Sequence, residues 1–266
     1  MNMKPMLEIC HYSKTYGTGK KAVEDVSLSV MPGDIYGFIS HNGAGKSTTI
    51  RAVVGVLDFT EGDIFIDGHS VKDEPMACKR ITAYIPDNPD LYENMTGIQY
   101  LNFVADVFGI GAAEREKRIQ RYADLFEITK DLGDLIGAYS HGMKQKLAII
   151  SALIHEPRLL VLDEPFVGLD PKAAFTLKTV MHEMCQGGTA IFFSTHVLDV
   201  AEKLCDKVAI IKHGRIIASG TMAELTEGHS LEQTFLEADV EEYGYRIASG
   251  AAAVHQRVEH LPALDG

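Results

Sequence analysis

The sequence predicts an α/β fold with a largely parallel sheet that is interrupted by a block of helices. Short apolar segments typical of buried strands alternate with segments of helical periodicity along much of the chain. A glycine-rich loop at residues 40–48 joins one such strand to one such helix. Residues 95–155 have helical character and predict an inserted subdomain. In sheets of this kind, ligands bind at the carboxyl ends of the strands.

Five strands are predicted before the helical block. Their apolar patterns place them at residues 7–11, 22–30, 35–39, 63–66 and 81–85. A helix-compatible run at residues 48–57 follows the glycine-rich loop. The dipeptide Asp67-Gly68 is a strong turn signal after the fourth strand, and Pro86 ends the fifth strand.

Three helices are predicted in the block, and strands return after it. The helices cover residues 98–108, residues 113–126, and a segment that begins after Ser140 and ends before Pro157. Beyond the block, strands at residues 159–162, 190–193, 208–211 and 215–218 are interspersed with helices at residues 172–185 and 197–204. Residues after Glu241 are weakly patterned and predict a loosely held tail.

Composition argues against several classes of protein. Of the 266 residues, 46% are hydrophobic, which is enough for a substantial core. A net charge of −12, from 37 acidic and 25 basic residues, disfavours a surface that binds nucleic acid non-specifically. No apolar run reaches about eighteen residues, so no transmembrane helix is expected, and residues 1–6 lack the apolar core of a signal peptide. The four cysteines have no C-x-x-C spacing and are expected to be free thiols.

The glycine-rich loop reads S-H-N-G-A-G-K-S-T and predicts a phosphate-binding site. Its small residues allow backbone N–H groups to turn toward phosphate oxygens, and the following helix directs its positive end at the same anion. Lys46 adds a mobile positive charge, and the hydroxyl of Ser47 can bind Mg²⁺. The alternative, a glycine turn before an unrelated lysine, leaves the flanking strand and helix unexplained.

One position departs from the usual G-x-x-x-x-G-K-[ST] pattern, because Ser40 stands at the first glycine. A left-handed backbone at a serine would cost about 1–3 kcal/mol. We expect Gly43 and Gly45 to maintain the loop shape, and we expect Ser40 to weaken nucleotide affinity at most.

Two further motifs carry chemistry. Residues 159–164 read L-L-V-L-D-E, a buried strand that ends in paired carboxylates. Asp163 suits a Mg²⁺ ligand and Glu164 suits a base for an attacking water, whereas a solvated acidic turn is the alternative. Residues 139–145 read Y-S-H-G-M-K-Q at a helix start where Ser140 is a good N-cap, and alone they predict an ordinary capped helix.

Together these motifs resemble the ATP-binding subunit of an ABC transporter, over about residues 6–238. Residues 40–48 resemble the family's Walker A motif, and residues 159–164 resemble Walker B with its catalytic glutamate. Residues 139–143 stand where the family has its L-S-G-G-Q signature, with His141 in place of a glycine and Met143 in place of the glutamine. Residues 168–170 resemble the D-loop, and His196 stands where the family has its switch histidine.

The resemblance implies ATP as the nucleotide and Mg²⁺ as the metal. Its implied catalytic residues are Glu164 for the attacking water, His196 for the γ-phosphate, and Lys46. The implied nucleotide contacts are Tyr16, Asn42, Gly43, Ala44, Gly45, Lys46, Ser47, Thr48, Ser140 and Gly142, and the implied metal ligands are Ser47, Asp163 and Asp87. Asp87 departs from the family, which usually has a glutamine there. Without the resemblance, Tyr16 and His196 are equally explained as ordinary surface residues.

The resemblance also implies an architecture and partners. A P-loop NTPase core at residues 1–90 and 156–220 would combine a mostly parallel sheet with an antiparallel β-subdomain. Residues 91–155 would form an inserted α-helical subdomain, and residues 239–266 a tail of unassigned role. The implied partners are a transmembrane permease subunit and a second ATPase subunit with ATP at the interface, on the cytoplasmic face of the membrane. No nucleic-acid partner is expected.

Export is favoured over import, because Y-S-H-G-M-K-Q and P-D-N-P-D-L-Y resemble the branch that serves drug, polysaccharide, sodium and lipid exporters. Two alternatives stay open. One is a soluble ABC-type ATPase that acts on ribosomes or DNA, although those relatives usually carry two cassettes or a long coiled coil. The other is a regulatory nucleotide-binding module with poor hydrolysis, which Ser40 and Asp87 permit and which Glu164 and His196 argue against.

Overall fold

The computed structural model describes residues 4–17, 19–40 and 43–236. The strands found there are β1 (Leu7–Thr15), β2 (Lys21–Val30), β3 (Ile35–Ile39), β4 (Glu61–Ile66), β5 (His69–Ser70), β6 (Thr82–Ile85), β7 (Leu159–Asp163), β8 (Ala190–Thr195), β9 (Lys207–Lys212) and β10 (Arg215–Thr221). The α-helices found there are α1 (Lys46–Val53), α2 (Pro75–Ile81), α3 (Gly97–Val107), α4 (Ala112–Leu125), α5 (His141–Leu153), α6 (Pro171–Gln186), α7 (Leu198–Leu204) and α8 (Met222–Leu225).

The strands form two sheets, and both match the predicted fold class. The larger sheet has the order β10-β9-β3-β8-β7-β6, and all its pairs are parallel except β9 with β10. The smaller sheet has the order β2-β1-β4-β5 and is antiparallel. Because β3, β8 and β7 are parallel neighbours, the loops after their carboxyl ends meet at one edge of the sheet.

The larger sheet is buried on both faces, which explains its nearly continuous apolar strands. Side chains alternate between the faces of a strand. Tyr36 and Phe38 of β3 pack in one core with β1, β2, β4 and α1. Ile35 and Ile39 of the same strand pack in a second core with the helices from α3 to α7. The two cores therefore fix the height and orientation of the loop that follows Ile39.

Several details of the predicted elements are wrong. Helix α2 was not predicted, and the strand expected to start at Ile81 begins at Thr82, because Ile81 is the last residue of that helix. Pro75 at its first turn is a valid start signal, but only Cys78 of its side chains is buried, so no apolar period reveals it. Helix α1 ends at Val53 instead of Leu57, and glycine at position 55 is left-handed with φ 66°.

The first and last helices of the helical block each begin with a well-formed N-cap. Thr96 and Gln99 form a capping box at the start of α3. Ser140 caps α5 as predicted, since its hydroxyl accepts a hydrogen bond from the backbone N–H of Met143 at 3.3 Å. Across the described residues, none of the helices has the length and apolar character needed to cross a bilayer.

A buried histidine makes stability depend on pH. His155 stacks on Phe108 with ring centroids 3.7 Å apart, and burial lowers its pKa from 6.5 to about 4. Between those values the unfolded chain binds a proton that the native chain does not, so stability falls as pH falls from 6.5 to 4. We expect this residue to remove about 2 kcal/mol of unfolding free energy between pH 7 and pH 5. Urea unfolding of the parent and of His155→Phe at both pH values measures this change in unfolding free energy. An equal decrease in the variant would show that His155 is not its cause.

Candidate active site

A cleft of about 510 Å³ opens at the edge where β3, β7 and β8 end. Its lining residues come from the predicted phosphate loop, the strand-end acids, the loop after β6, the segment that joins β1 to β2 with the start of β2, and the turn between β9 and β10. They are Tyr16, Lys20, Lys21, Ala22, Gly43, Gly45, Lys46, Ser47, Thr48, Asp87, Asp163, Glu164, His213 and Gly214. Most of the predicted site residues therefore share one cleft.

The phosphate loop keeps its shape through its glycines. Gly43 and Gly45 are left-handed, with φ values of 81° and 109°. A Cβ atom on Gly45 would lie 2.7 Å from the carbonyl oxygen of Ala22, so no larger residue fits. Ser40 is fully buried but has no left-handed backbone, so the strain considered for this serine does not arise.

Lys46 is a buried cation between two oxygen acceptors. Its ammonium donates to the carbonyl oxygen of Ser40 at 2.8 Å and lies 3.3 Å from Glu164 Oε1. The side chains of Lys46 and Glu164 are only 7% and 12% exposed, so the attraction between them is weakly screened by solvent. Lys46, Ser47 and Thr48 form the first turn of α1 and all line the cleft, which therefore lies at a helix N-terminus, where backbone N–H groups lack partners within the helix.

The two strand-end acids are held by one serine of the neighbouring strand. The backbone N–H of Glu164 donates to Ser194 Oγ at 3.1 Å, and that hydroxyl donates to Asp163 Oδ1 at 2.5 Å. Glu164 has a left-handed backbone with φ 49°, which costs about 1–3 kcal/mol in a residue with a Cβ. The hydrogen bonds to β8 fix this conformation and turn the carboxylate toward Lys46.

His196 follows β8 and contacts the same glutamate. Its ring Nδ1 lies 2.9 Å from Glu164 Oε2, and its backbone N–H donates to that oxygen at 3.4 Å. Glu164 thus lies between a lysine on one oxygen and a histidine on the other.

Asp87 lies at the edge of this acidic group. Burial raises its pKa above the ordinary value, and the negative charges of Asp163 and Glu164 raise it further, while His141 and His196 lower it. Three carboxylates facing one cleft repel one another unless a cation joins them.

Two predicted nucleotide contacts, Ser140 and Gly142, do not line the cleft of their own chain. The hydroxyl of Ser140 accepts the N-capping hydrogen bond of α5. Tyr16 does line the cleft, and its hydroxyl lies 3.4 Å from Thr48 Oγ1. Ala44 lies inside the loop, where its carbonyl accepts from the N–H of Gly214 at 3.0 Å. Asn42 lies outside the described residues.

The donor set fits a triphosphate with a magnesium ion. Ser47, Asp163 and Asp87 present oxygen donors to one cleft, and oxygen is the ligand type that Mg²⁺ prefers. Glu164 Oε1 is buried and, apart from its ion pair with Lys46, makes no hydrogen bond in the described part of the chain, so it can still accept a proton donor such as water. Backbone N–H groups and Lys46 supply the complementary positive potential for phosphate.

The sequence missed several residues of this site. The sequence does not single out Ser194, although it fixes both acids, because a single serine near the end of an apolar strand carries no signal of its own. Lys20 and Lys21 reach the cleft from the start of β2 in the smaller sheet, and His213-Gly214 reaches it from the turn between β9 and β10 of the larger sheet. Their contribution depends on how the β9–β10 turn meets β2, where the N–H of Glu24 donates to the carbonyl of Gly214 at 2.8 Å.

Comparison with known proteins agrees with the site. A family model described as ABC transporter matches residues 23–167. The ABC-type transporter ATP-binding protein EcsA of Bacillus subtilis (strain 168) is 37% identical over 233 residues, which cover 86% of this chain and 94% of that protein. The linearmycin resistance ATP-binding protein LnrL of the same organism is 32% identical, with 83% of this chain and 70% of that protein covered. A solved ATP-binding subunit of an ABC transporter has a TM-score of 0.85 at 37% identity and covers 88% of this chain and 99% of its own.

Proposed function

The chain belongs to the ABC transporter family as an ATP-hydrolysing subunit, and on that premise we propose that it binds ATP with Mg²⁺ between two copies and drives export through a separate membrane permease. The observation that carries the proposal is the convergence of Lys46, Asp163 and Glu164 on one cleft, with His196 on the far side of Glu164. Phosphoryl transfer needs this kind of positioning and charge neutralisation more than covalent chemistry.

Each residue has a distinct task in hydrolysis. The loop N–H groups and Lys46 hold the β- and γ-phosphates, and Tyr16 stacks on the adenine. Ser47, Asp163 and Asp87 hold the metal, which when bound neutralises phosphate charge. Glu164 accepts a proton from the attacking water, which is the task of a general base.

The role of His196 depends on which of its ring nitrogens carries a proton. If a neutral ring donates its Nδ1 proton to Glu164, its Nε2 carries no hydrogen and cannot donate to the γ-phosphate. The histidine can donate to phosphate as imidazolium, or after its ring leaves Glu164. An imidazolium would keep its bond to Glu164, so only the second route, in which the ring leaves Glu164, makes that carboxylate oxygen available to water.

The signature motif is proposed to act on a second copy. Ser140 and Gly142 lie outside the cleft of their own chain, yet Ser140 caps the first turn of a 13-residue helix whose N-terminus favours an anion. A head-to-tail pair of chains would bring each signature to the γ-phosphate in the other cleft. ATP would then join the two chains, and hydrolysis would release them.

A permease docking surface is proposed on the helical subdomain beside the Asp87 loop. Tyr92 and Phe103 are 58% and 44% exposed, and their ring centroids are 5.8 Å apart. Tyr100 packs edge-on against Tyr92 at 6.1 Å. Exposed clustered aromatic rings are typical of a protein interface. A partner at this surface would place the chain on the cytoplasmic face of the membrane, and the resistance function in the name of LnrL favours export.

Co-purification from membranes tests the partner. The tagged chain, extracted in mild detergent, should retain a multi-span membrane protein that mass spectrometry identifies. Association with ribosomes in the soluble fraction instead would support the alternative of a translation-linked ATPase and overturn the transport partner.

The proposed docking surface can be tested with a charged substitution in its aromatic cluster. We expect Phe103→Asp to reduce recovery of the permease by about tenfold, because a buried charge at an aromatic interface costs about 1.4 kcal/mol or more. Leu125→Asp on α4 is the matched control, since Leu125 is 41% exposed and lies outside the aromatic cluster. Equal recovery of the permease with both variants would place the docking surface elsewhere.

A further inference from the structure

The loop that follows the catalytic acids packs directly on the first turn of α5. Gly168 is left-handed with φ 79°, and a Cβ atom there would lie 2.5 Å from Cδ2 of the His141 ring. A Cβ atom on Gly142 would lie 2.9 Å from the carbonyl oxygen of Gly168. The histidine that replaces a signature glycine is therefore accommodated by a glycine in the loop, and neither surface can shift without the other.

An ion pair fastens the same two segments one turn further along the helix. Lys146 Nζ lies 2.7 Å from Asp170 Oδ2, and the lysine side chain is largely buried. Asp170 also caps α6, because its Oδ1 accepts from the N–H of Ala173 at 2.8 Å. The hydrogen bond from Lys146 is the main cause that lowers the pKa of Asp170, and the N–H of Ala173 adds to it. One carboxylate thus holds α6 and the signature helix together.

We propose that Lys146 is a positioning residue, which through Asp170 holds the signature turn in register with the loop after Glu164. The proposal rests on the proposed two-copy site. Residues 164–170 then connect the base that serves one ATP with the signature that serves the other. Lys146 does not line the cleft of its own chain, so its removal should affect turnover and pairing of chains while binding of ATP to one chain persists.

The pair permits a variant that separates positioning from folding. Asp170→Asn keeps a side-chain oxygen that can cap α6 but removes the charge that attracts Lys146. Lys146→Met removes the charge and keeps much of the aliphatic volume, and Lys146→Arg restores the charge. Lys117→Met is the matched lysine control, because Lys117 is exposed on α4 and lies outside both the cleft and the segment that joins Glu164 to the signature.

The experiment uses the purified full chain with ATP and Mg²⁺. We expect Lys146→Met and Asp170→Asn each to lower kcat by on the order of tenfold, since small misplacements of a catalytic group have effects of this size or larger. The double variant should be no worse than either single variant, and the dissociation constant for ATP should change by less than about twofold. Lys146→Arg should recover most of the kcat, and Lys117→Met should stay near the parent.

Pairing of chains separates the failure of this inference from that of the proposed function. In a Glu164→Gln background, ATP should yield a dimer in gel filtration, and Lys146→Met should weaken it while Lys117→Met does not. A parent that forms no dimer would overturn the two-copy site and this inference with it. A parent that dimerises while the Lys146 and Lys117 variants match in kcat and pairing would overturn the positioning role alone, as would additive losses in the double variant.

Discussion

Glu164→Gln is expected to lower ATP hydrolysis by about 100-fold or more while ATP still binds. The reason is chemical, because the amide keeps the shape of the side chain and loses the basic oxygen that accepts a proton from water. The left-handed backbone at this position and its N–H bond to Ser194 Oγ do not depend on the carboxylate. The site geometry should therefore survive the change.

The same variant should accumulate as an ATP-bound dimer. With hydrolysis blocked, the γ-phosphate persists between the two chains, and the release step does not occur. The change also removes a negative charge from the group of Asp87, Asp163 and Glu164, which lowers the repulsion that a bound triphosphate must overcome.

Steady-state phosphate release and gel filtration with and without ATP measure both effects. Glu183→Gln is the matched control, because Glu183 is exposed and pairs with Arg121 on the distant face of α6. Wild-type turnover by Glu164→Gln would remove the glutamate from the role of base. If Glu164→Gln lost turnover as expected but stayed monomeric in the presence of ATP, Glu164 would keep its role as base. The two-copy site would then be rejected for the isolated subunit.

Local patterns carried most of what the sequence could predict. The phosphate loop, the strand-end acids and the cap at Ser140 are each written in consecutive residues, so their elements could be placed before any tertiary contact was known. The alternation of strands and helices was enough to place the phosphate loop and the acids at one sheet edge, because parallel strands share their carboxyl ends.

Contacts between segments that are distant in the chain could not be predicted from the sequence. Ser194 joins both acids only because β7 and β8 are neighbours in register, with Asp163 opposite Ser194. Lys146 meets Asp170, and His141 meets Gly168, only once α5 has packed against the loop before α6. Helix α2 was missed for a related reason, since its short length and mostly exposed surface leave no apolar period.

Lys46→Ala is expected to abolish hydrolysis and to weaken ATP binding by about 30-fold or more. Truncation of a buried charged hydrogen-bonding group costs about 2–5 kcal/mol of binding free energy. The structure adds a second effect, because Lys46 lies 3.3 Å from Glu164 and both side chains are buried. Without the lysine, the glutamate loses its nearest cation, so the nucleotide-free chain should lose up to about 3 kcal/mol of unfolding free energy.

The double variant Lys46→Ala with Glu164→Gln separates the effect on stability from the effect on ATP binding and hydrolysis. Removal of the unpaired carboxylate should restore most of the lost stability in urea unfolding, because the buried charge no longer needs a partner. It should restore neither ATP binding nor hydrolysis, because the phosphates still lack the lysine. Lys172→Ala is the charge-matched control, since Lys172 is 68% exposed and pairs with a surface glutamate. If Lys46→Ala were as stable as the parent, the ion pair with Glu164 would not contribute to stability as argued. Near-normal turnover of Lys46→Ala would rule out Lys46 as a phosphate ligand.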